Sequence, residues 1–332
     1  MDLSRTTILV TGGAGFIGSA LIWALNQRGI DRILVSDYLD QSEKWKNLVP
    51  LRFMDYIEAD MLMKRIEERP QSLVEVGCVL HLGACSATTE KNGRYLIDNN
   101  FEYTKQLCNW TLSKSARFVY ASSAATYGDG AQGMLDDENT LEKLRPLNMY
   151  GYSKHLFDLH ARRHGWLSRI AGMKYFNVFG PNEDHKDDMR SVVHKAFGQI
   201  RATGRVQLFK SYHRDYPDGG QKRDFLYVKD AVEMTLHLAS TRTANGLFNL
   251  GSGKAHTWID LVTPIFDAMQ MPAKIDFIDM PESLRAKYQY FTEATIDKLR
   301  ASGYTRPMTS LDDAVIDYVR NYLSKGQHLG DS

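Results

Sequence analysis

The stretch MYGYSK, residues 149–154, places a tyrosine and a lysine at a spacing suited to acid–base chemistry. Each residue of an α-helix advances by about 100°, so Tyr150 and Lys154 share a face while Tyr152 points to nearly the opposite side. A lone tyrosine has a pKa of about 10 and is a poor base at neutral pH. A lysine ammonium one turn away stabilises the phenolate and lowers that pKa. The spacing predicts that Tyr150 does chemistry and that Tyr152 packs against the protein.

Two serines in YASSAATYG, residues 120–128, extend this chemistry. They end the apolar run ARFVYASS, which is typical of a buried strand. In a parallel sheet, ligands bind at the carboxyl ends of the strands. The sequence therefore places Ser122 and Ser123 at the edge where Tyr150 and Lys154 are needed.

The elements that must position these residues begin with TTILVTGGAGFIGSALIWALNQRG, residues 6–29. This segment predicts a strand, a tight glycine turn and a helix. Gly12, Gly15 and Gly18 form GxxGxxG, and Gly13 with the last two forms GxGxxG. Such glycines allow a tight turn and a close backbone approach to a pyrophosphate, which the helix N-terminus faces. The pattern predicts a dinucleotide site.

A second strand, RILVSD, ends at Asp37, about 20 residues past the glycines, where a carboxylate can reach an adenosine ribose hydroxyl. Asp37 favours NAD, because a 2′-phosphate would meet its negative charge. Lys44, Lys46 and Lys64 follow and could instead pair with such a phosphate. These residues leave both NAD and NADP open.

Further apolar runs, YIEAD, CVLHLGA and ARFVYASS, alternate with segments of helical length. Strands that alternate with helices indicate an α/β fold with a doubly wound parallel sheet of the Rossmann type. The segment KSYHRDYPDGGQK, residues 210–222, predicts a long surface loop because of its proline, aspartates and paired glycines.

Composition excludes several functional classes. Among the 332 residues, 41 lysines and arginines nearly balance 40 aspartates and glutamates, which offers no electrostatic attraction to nucleic acid or an anionic membrane. No apolar run approaches the roughly 18 residues of a membrane span, and no signal peptide is recognisable. We therefore expect a cytoplasmic protein. Cys78, Cys85 and Cys108 form no CxxC pair, so we predict neither a disulfide framework nor a metal site.

Taken together and in this order, the motifs resemble the extended short-chain dehydrogenase/reductase superfamily of nucleotide-sugar epimerases and dehydratases. KYFNVFGP, KRDFLYVKD and FNLGSG extend the resemblance over nearly the whole chain. It implies an NADP-binding Rossmann domain at 1–176 and a smaller, mainly substrate-binding α/β domain at 177–332, some of whose segments return to the first. It also implies that Ser123 orients the sugar oxygen, Tyr150 exchanges its proton, and Lys154 holds the nicotinamide ribose.

The residues after Ser123 help to distinguish between a dehydratase and an epimerase. Dehydratases of this superfamily carry an Asp-Glu pair there, whereas this chain has Ala124 and Ala125, which favours an epimerase. GACSATTE, YFNVFGPNEDHK and YQYFTEA are similar to the ADP-heptose 6-epimerase family of lipopolysaccharide core synthesis. That resemblance implies inversion at C6 by transient oxidation with bound NADP, and Lys186 as a second acid/base group. Burial or neighbouring cations such as His185 would have to lower the pKa of Lys186.

The same resemblance implies the remaining site residues. The residues implied to bind cofactor are Gly12, Gly15, Phe16, Ile17, Gly18, Asp37, Tyr38, Lys44, Lys64, Leu82, Gly83, Ala84, Cys85, Ser86, Asn99, Lys154 and Val178. The residues implied to contact the ADP-heptose are Ser123, Asn177, His194, Lys195, Phe209, Lys210, Ser211, Tyr212, Arg223 and Tyr288. Arg223 suits a diphosphate because its planar fork pairs two oxygens at once.

Other interpretations stay open at this point. Another nucleotide-sugar epimerase or reductase, such as a UDP-hexose 4-epimerase, would share Ser123, Tyr150 and Lys154, but would not account for GACSATTE or Lys186. A non-catalytic NADP-binding protein usually loses the tyrosine or the lysine, and both are present. The resemblance further implies a homo-oligomer, commonly a pentamer, although no sequence feature sets the number of subunits.

Overall fold

The computed structural model describes residues 1–285 and 288–331 and is built around a seven-stranded sheet. Its strands, in the spatial order β10-β6-β5-β4-β1-β2-β3, are all parallel to their neighbours. They are β1 (Thr7–Thr11), β2 (Ile33–Asp37), β3 (Asp55–Glu58), β4 (Val76–His81), β5 (Arg117–Ser123), β6 (Ala171–Tyr175) and β10 (Gly246–Leu250). The order reverses at β1, between β2 and β4, which makes the sheet doubly wound and of the Rossmann type.

Helices cover both faces of this sheet because successive strand side chains point in opposite directions. Ile8 and Val10 of β1 pack in one core with helices α1 and α7, whereas Leu9 packs in a second core with α2, α4 and α5. The helices are α1 (Phe16–Gln27), α2 (Ala59–Glu68), α3 (Gly93–Leu96), α4 (Tyr103–Ser113), α5 (Met149–Arg163), α6 (Val192–Thr203), α7 (Val228–Ser240), α8 (Trp258–Ala268), α9 (Glu282–Arg285), α10 (Asp297–Ala301) and α11 (Leu311–Asp317). None that the structure describes is long and apolar enough to cross a bilayer.

The carboxyl-terminal part of the chain adds two small sheets. One has the order β11-β9-β7 and the other pairs β12 with β8. Their strands are β7 (Asn177–Phe179), β8 (Val206–Phe209), β9 (Lys222–Tyr227), β11 (Ala255–Thr257) and β12 (Ile275–Ile278). Strand β10, which follows α7, crosses back to pair with β6 in the large sheet. The chain after residue 177 thus contributes to both the large sheet and the small ones.

Helix α5 presents Tyr150 and Lys154 to the sheet, and its first turn is capped. The Asn148 side chain accepts a hydrogen bond from the Gly151 N–H at 2.7 Å, as expected of a helix N-cap. Tyr152 is 44% exposed, so the prediction that it packs against the protein is wrong. The side of α5 opposite the sheet faces solvent, and the helical rotation that separates Tyr152 from Tyr150 directs it there.

Candidate active site

The carboxyl ends of β1, β2, β4, β5 and β6 open into a cleft of about 810 Å³. This is the edge where parallel sheets of this type bind ligands. Seventeen of the residues predicted for the site line it: Gly12, Gly15, Phe16, Ile17, Gly18, Asp37, Lys44, Leu82, Gly83, Ala84, Ser86, Ser123, Tyr150, Lys154, Asn177, Val178 and Lys186.

The glycine turn after β1 forms a cradle that fits a dinucleotide. Gly12 has a φ of 68°, and a Cβ built there would lie 2.6 Å from the Gly83 nitrogen. A Cβ on Gly18 would lie 2.0 Å from the Gly12 oxygen. The first N–H groups of α1 have no intrahelical acceptors, and this end of α1 lines the cleft. A diphosphate can therefore approach backbone donors without meeting a side chain.

Asp37 is the last residue of β2, and both of its carboxylate oxygens accept hydrogen bonds. Oδ2 accepts the N–H groups of Ala14 at 2.9 Å and Gly15 at 3.2 Å. Oδ1 accepts the Tyr38 N–H and the Lys44 ammonium, each at 2.7 Å. A carboxylate has about four lone-pair sites, and four donors fill them here. Asp37 thus holds the glycine turn against β2, and Lys44 balances its charge.

Ser123, Tyr150 and Lys154 meet where β5 ends and α5 begins. The Ser123 hydroxyl oxygen accepts the Ala125 N–H at 3.1 Å, which leaves its own proton free to be donated into the cleft. It also hydrogen-bonds the Tyr150 phenol. The Lys154 ammonium donates to the Ala121 carbonyl at 2.9 Å, which ties α5 to the strand that carries the serine.

Burial shifts the pKa of both acid–base groups. Burial raises the pKa of Tyr150, the hydrogen bond with Ser123 lowers it, and Cys85 raises it again. Burial lowers the pKa of Lys154 to about 8, and Asp158 and then Cys85 act in the opposite direction. The expectation of a lowered phenol pKa is therefore not met by the chain alone, because burial outweighs the hydrogen bond.

Lys186 reaches the cleft from the other side, on a 3-10 turn at Asp184–Met189. Its ammonium lies 5.1 Å from the centroid of the Phe16 ring, at the start of α1. Buried Glu183 anchors the turn, because its carboxylate accepts the N–H of Ser191 at 2.6 Å, and its carbonyl accepts the N–H of Lys186 at 3.0 Å. The turn thus places a second ionisable group opposite α5.

Burial also governs the titration of this second group. It lowers the pKa of Lys186, Glu183 raises it, and Lys195 lowers it further. The sequence suggested His185 as the neighbouring cation. Burial, followed by Lys186 and Lys44, lowers the pKa of His185 to about 4. His185 is therefore neutral at physiological pH and is not the cation that perturbs Lys186.

Four residues predicted to bind cofactor lie outside the cleft lining. Tyr38 is 47% exposed, and Lys64 is exposed on the surface of α2. Asn99 donates to a carbonyl of its own helix. Its neighbour Asn100 is buried and hydrogen-bonds both main-chain groups of Cys85, at 2.8 and 2.9 Å. Both asparagines lie in a π-helical turn between α3 and α4, in which Asn100 holds the segment after β4.

His194 and Lys195, predicted to contact the substrate, lie outside the lining as well. His194 Nε2 lies 2.9 Å from a carboxylate oxygen of Asp184. The Lys195 ammonium donates to the Asp188 carbonyl at 2.5 Å. Both side chains therefore bind the turn that carries Lys186 rather than the cleft.

The segment Phe209–Tyr212 is likewise placed away from the lining. The Lys210 ammonium pairs with Asp279 at 3.1 Å, and the Tyr212 hydroxyl donates to the same carboxylate at 3.0 Å. The Arg285 guanidinium lies 3.9 Å from the centroid of the Tyr212 ring. These contacts occupy the polar groups on the outer surface of the small sheet.

Arg223 is buried behind the cleft lining, and part of its guanidinium is already engaged. Its guanidinium lies 5.2 Å from the Tyr288 ring centroid and 5.8 Å from that of Trp258, and it donates to the Gln289 carbonyl. The Trp258 indole N–H donates to the Tyr288 hydroxyl at 2.8 Å, which closes the cluster. Only Trp258 and Gln289 of this group line the cleft, because they cover Arg223 and Tyr288.

The cleft also contains residues that the sequence did not single out. Trp258, Gln289 and Thr292 form part of its carboxyl-terminal wall, and Asn148 lines it at the start of α5. The sequence does indicate the position of Asn148, since an asparagine directly before a helical segment is a typical N-cap. Gln289 and Thr292 lie in the motif YQYFTEA, but nothing in the spacing indicates which of its side chains face the cleft.

Known proteins are similar to this chain over nearly its whole length. The model of the NAD dependent epimerase/dehydratase family matches residues 8–251. A protein of Nitratidesulfovibrio vulgaris strain DP4, named ADP-L-glycero-D-manno-heptose-6-epimerase, is 55% identical over 316 residues, which cover 95% of this chain and 98% of that relative. A protein of the same name from Fusobacterium nucleatum is 45% identical over 327 residues, with 96% and 98% coverage.

Solved structures show the same overall arrangement. The ADP-L-glycero-D-manno-heptose-6-epimerase of Helicobacter pylori superimposes with a TM-score of 0.81 at 27% identity, and the match covers 96% of each chain. A UDP-N-acetylglucosamine 4-epimerase from Methanobrevibacter ruminantium gives the same TM-score at 22% identity, covering 97% of this chain and 99% of that one. At that identity the second match shows the fold alone.

Proposed function

The chain belongs to the NAD dependent epimerase/dehydratase family, and we propose that it interconverts ADP-D-glycero-β-D-manno-heptose and ADP-L-glycero-β-D-manno-heptose. The observation that carries this proposal is the 55% identity, over 95% of the chain, to a relative named for that reaction. The cleft supports it with acid–base groups on two sides, Tyr150 on α5 and Lys186 on the opposite turn. Inversion at C6 requires the ketone to turn before the hydride returns, and a group on each side of the cleft could serve the oxygen in either orientation.

Tyr150 is the proton carrier on the first side. Burial raises the pKa of its phenol in the chain alone, so the basic form needs more positive charge close to the phenol oxygen. Lys154, one helical turn along the same face, and the positive charge of an oxidised nicotinamide, when bound, would together supply it. Ser123 donates its proton to the phenol oxygen or to the C6 oxygen of the sugar, which holds the two oxygens together. A bound nicotinamide cofactor supplies the hydride acceptor and donor that inversion at C6 requires.

Lys186 is the proton carrier on the second side. An amine acts as a base only after it loses its proton, and burial lowers the pKa of Lys186 in the required direction. Its turn is fixed by the buried carboxylate of Glu183, so the amine is held in the cleft. We assign Tyr150 and Lys186 to the two orientations of the C6 carbon.

We propose NADP as the cofactor. The four donors on Asp37 compete with a ribose hydroxyl for its carboxylate oxygens, which weakens the feature that favoured NAD. Lys44 lines the cleft beside Asp37 and would bind a 2′-phosphate by exchanging its ion pair with that carboxylate. Lys64 is exposed on α2 and lies outside the cleft lining.

We further propose a cytoplasmic homo-oligomer that serves lipopolysaccharide core synthesis. The reaction of the named relatives supports the pathway. Light scattering on the purified chain would measure the number of subunits directly, and a monomer at working concentration would contradict this part of the proposal.

A proton NMR time course tests the reaction. Purified protein is mixed with ADP-D-glycero-β-D-manno-heptose, first without added cofactor and then with NADP or NAD. We expect the L-glycero epimer to appear and the mixture to reach an equilibrium of the two epimers. No change after either cofactor is added would contradict the proposal.

A further inference from the structure

Asp158 and Lys174 form an ion pair that the acid–base chemistry above does not use. The Lys174 ammonium lies 2.8 Å from Asp158 Oδ2, and the two side chains are 1% and 0% exposed. Burying two charges is costly unless both are paired and their remaining hydrogen-bonding groups are satisfied. A fully buried ion pair beside a candidate active site therefore indicates a specific structural or functional role.

Every polar contact of the pair leads to the strand and turn that carry Ser123. Asp158 accepts hydrogen bonds from the hydroxyls of Tyr120 and Ser122, each at 2.8 Å. The Lys174 ammonium donates to the Thr126 hydroxyl at 2.6 Å.

Thr126 passes this constraint to the catalytic serine. Its hydroxyl donates to the Ser123 carbonyl at 2.8 Å. Ser122 on one side of Ser123 and Thr126 on the other are thus both held by the buried pair.

The same aspartate faces the lysine of the acid–base set. Asp158 follows Lys154 by four residues on α5, and residues at this spacing are neighbours on one face of a helix. Lys154 is held at its other end by the Ala121 carbonyl. Asp158 is therefore a buried negative charge next to an ammonium whose protonated form the chemistry needs.

We propose that Asp158 and Lys174 are a positioning pair: together they fix the turn that carries Ser123, and Asp158 holds Lys154 as an ammonium beside Tyr150. This inference rests on the proposed function, because it assigns the pair to the same acid–base chemistry. Neither residue lines the cleft itself, so both act through other side chains, among them Ser122, which does line it.

The electrostatic surroundings of Lys154 agree with this assignment. Burial lowers its pKa, and Asp158 is the largest influence in the opposite direction, ahead of Cys85. On β4, His81 is neutral, because burial and then Lys154 lower its pKa to about 3.

Other ionisable groups also surround Asp158. Tyr120 on β5 and Tyr127 on the following turn stay protonated, because burial raises the pKa of both. His155 on α5 has its pKa lowered by burial. Lys174 on β6 is the cation in direct contact with Asp158.

A titration of Lys154 tests the proposal without using catalysis. Protein labelled with ¹³C at the lysine Cε is titrated by NMR, and the Lys154 signal is assigned with a Lys154→Arg variant. The double variant Asp158→Asn/Lys174→Met removes both charges, so no unpaired buried ion is left to unfold the chain. We expect the Lys154 midpoint to fall by about one pH unit or more, and the alkaline limb of the activity profile to move with it.

A matched pair serves as the control. The ion pair of Lys298 and Glu138 also joins two distant segments, but it is only partly buried and lies outside the cleft lining. Glu138→Gln/Lys298→Met should leave the Lys154 midpoint unchanged. An unchanged midpoint in the folded Asp158→Asn/Lys174→Met variant would overturn the inference.

The single variant Asp158→Asn gives a second readout, because it leaves Lys174 as an unpaired buried charge. If this variant fails to fold while the double variant folds, the two charges stabilise the chain only as a pair. Failure of the wild-type protein to epimerise ADP-heptose would instead count against the proposed function alone, because the Lys154 midpoint is measured without substrate.

Discussion

The amino-terminal and carboxyl-terminal walls of the cleft differ in how their residues are held. On the amino-terminal wall, Ser123, Tyr150 and Lys154 stand at a strand end and on one helix face, as the sequence predicts. On the carboxyl-terminal wall, Asn177, Val178 and Lys186 reach the cleft, whereas Arg223 and the segment Phe209–Tyr212 are engaged elsewhere. Local strand and helix patterns predict the first group, whereas contacts between segments distant in sequence decide which residues of the carboxyl-terminal wall reach the cleft.

The largest expected effect concerns the amino-terminal wall. Tyr150→Phe removes the proton carrier and should lower turnover by about 10³-fold, while NADP still binds because the phenol is no part of the glycine cradle. Tyr152→Phe, on the exposed side of the same helix, should keep wild-type turnover. Steady-state rates and NADPH fluorescence titrations measure both. Near-normal turnover of Tyr150→Phe would remove Tyr150 from the mechanism.

The second-largest expected effect tests whether the carboxyl-terminal wall takes part in the chemistry. Lys186→Met should lower turnover by roughly 10²-fold or more, since one orientation of the sugar loses its proton carrier. Lys195→Met is the comparison variant: it leaves Lys186 in place but removes a cation that lowers its pKa and a bond to the Asp188 carbonyl, so it should cost less turnover. Equal losses in the two variants would show that the turn has only a structural role.

Cofactor choice depends on one ion pair of the amino-terminal wall. Lys44→Ala should weaken NADP binding by about tenfold to hundredfold, the value of a hydrogen bond to a charged group, and should change NAD binding much less. Lys46→Ala is the control, because that lysine is exposed and pairs with Glu43. Calorimetric titration with each cofactor measures the affinities, and equal losses for NAD and NADP would argue against a 2′-phosphate contact.

A smaller effect separates the residues that line the carboxyl-terminal wall from those behind it. Gln289→Ala should raise the KM for ADP-heptose by about threefold to tenfold, as expected for a neutral hydrogen bond. Lys210→Ala should change KM by less than about twofold, since its ammonium pairs with Asp279. The reverse order would return the Phe209–Tyr212 segment to the substrate site.

The smallest effect is a pH dependence of stability from His81. Burial lowers its pKa from 6.5 to about 3 in the folded chain, so the unfolded chain takes up a proton first as the pH falls. The stabilising contribution is complete above about pH 6.5 and is lost below it, with a limiting slope of about 1.4 kcal/mol per pH unit. Urea unfolding at several pH values measures this slope, which should be shallower in His81→Gln. An identical slope in the two proteins would contradict the prediction.

The comparison of the two walls also shows how far sequence alone leads. The fold follows from strands that alternate with helices, and the Tyr150 and Lys154 geometry follows from helical spacing, because both are local. The same helical geometry placed Tyr152 opposite Tyr150, but the prediction that it is packed is wrong, because the far side of α5 faces solvent. Asn99 shows a second limit, since its side chain bonds the Tyr95 carbonyl within a π-helical turn that no local sequence pattern indicates.

Arg223 shows why the carboxyl-terminal wall is harder to predict. Its motif KRDFLYV predicts a strand, and β9 is present at Lys222–Tyr227. Whether Arg223 meets the ligand depends on Trp258 and Gln289, which lie 35 and 66 residues further along the chain and cover it. No spacing within one sequence relates these three positions.

One labelling experiment tests the central claim, that the two walls together invert C6 by removing and returning the same hydride. ADP-D-glycero-β-D-manno-heptose with deuterium at C6 is incubated with the wild-type protein and with Tyr150→Phe, and the products are examined by NMR and mass spectrometry. We predict that the L-glycero epimer from the wild type retains its deuterium at C6 and that Tyr150→Phe gives almost no epimer. Loss of deuterium to solvent in the epimer would contradict the account, because it would require removal of the C6 hydrogen as a proton.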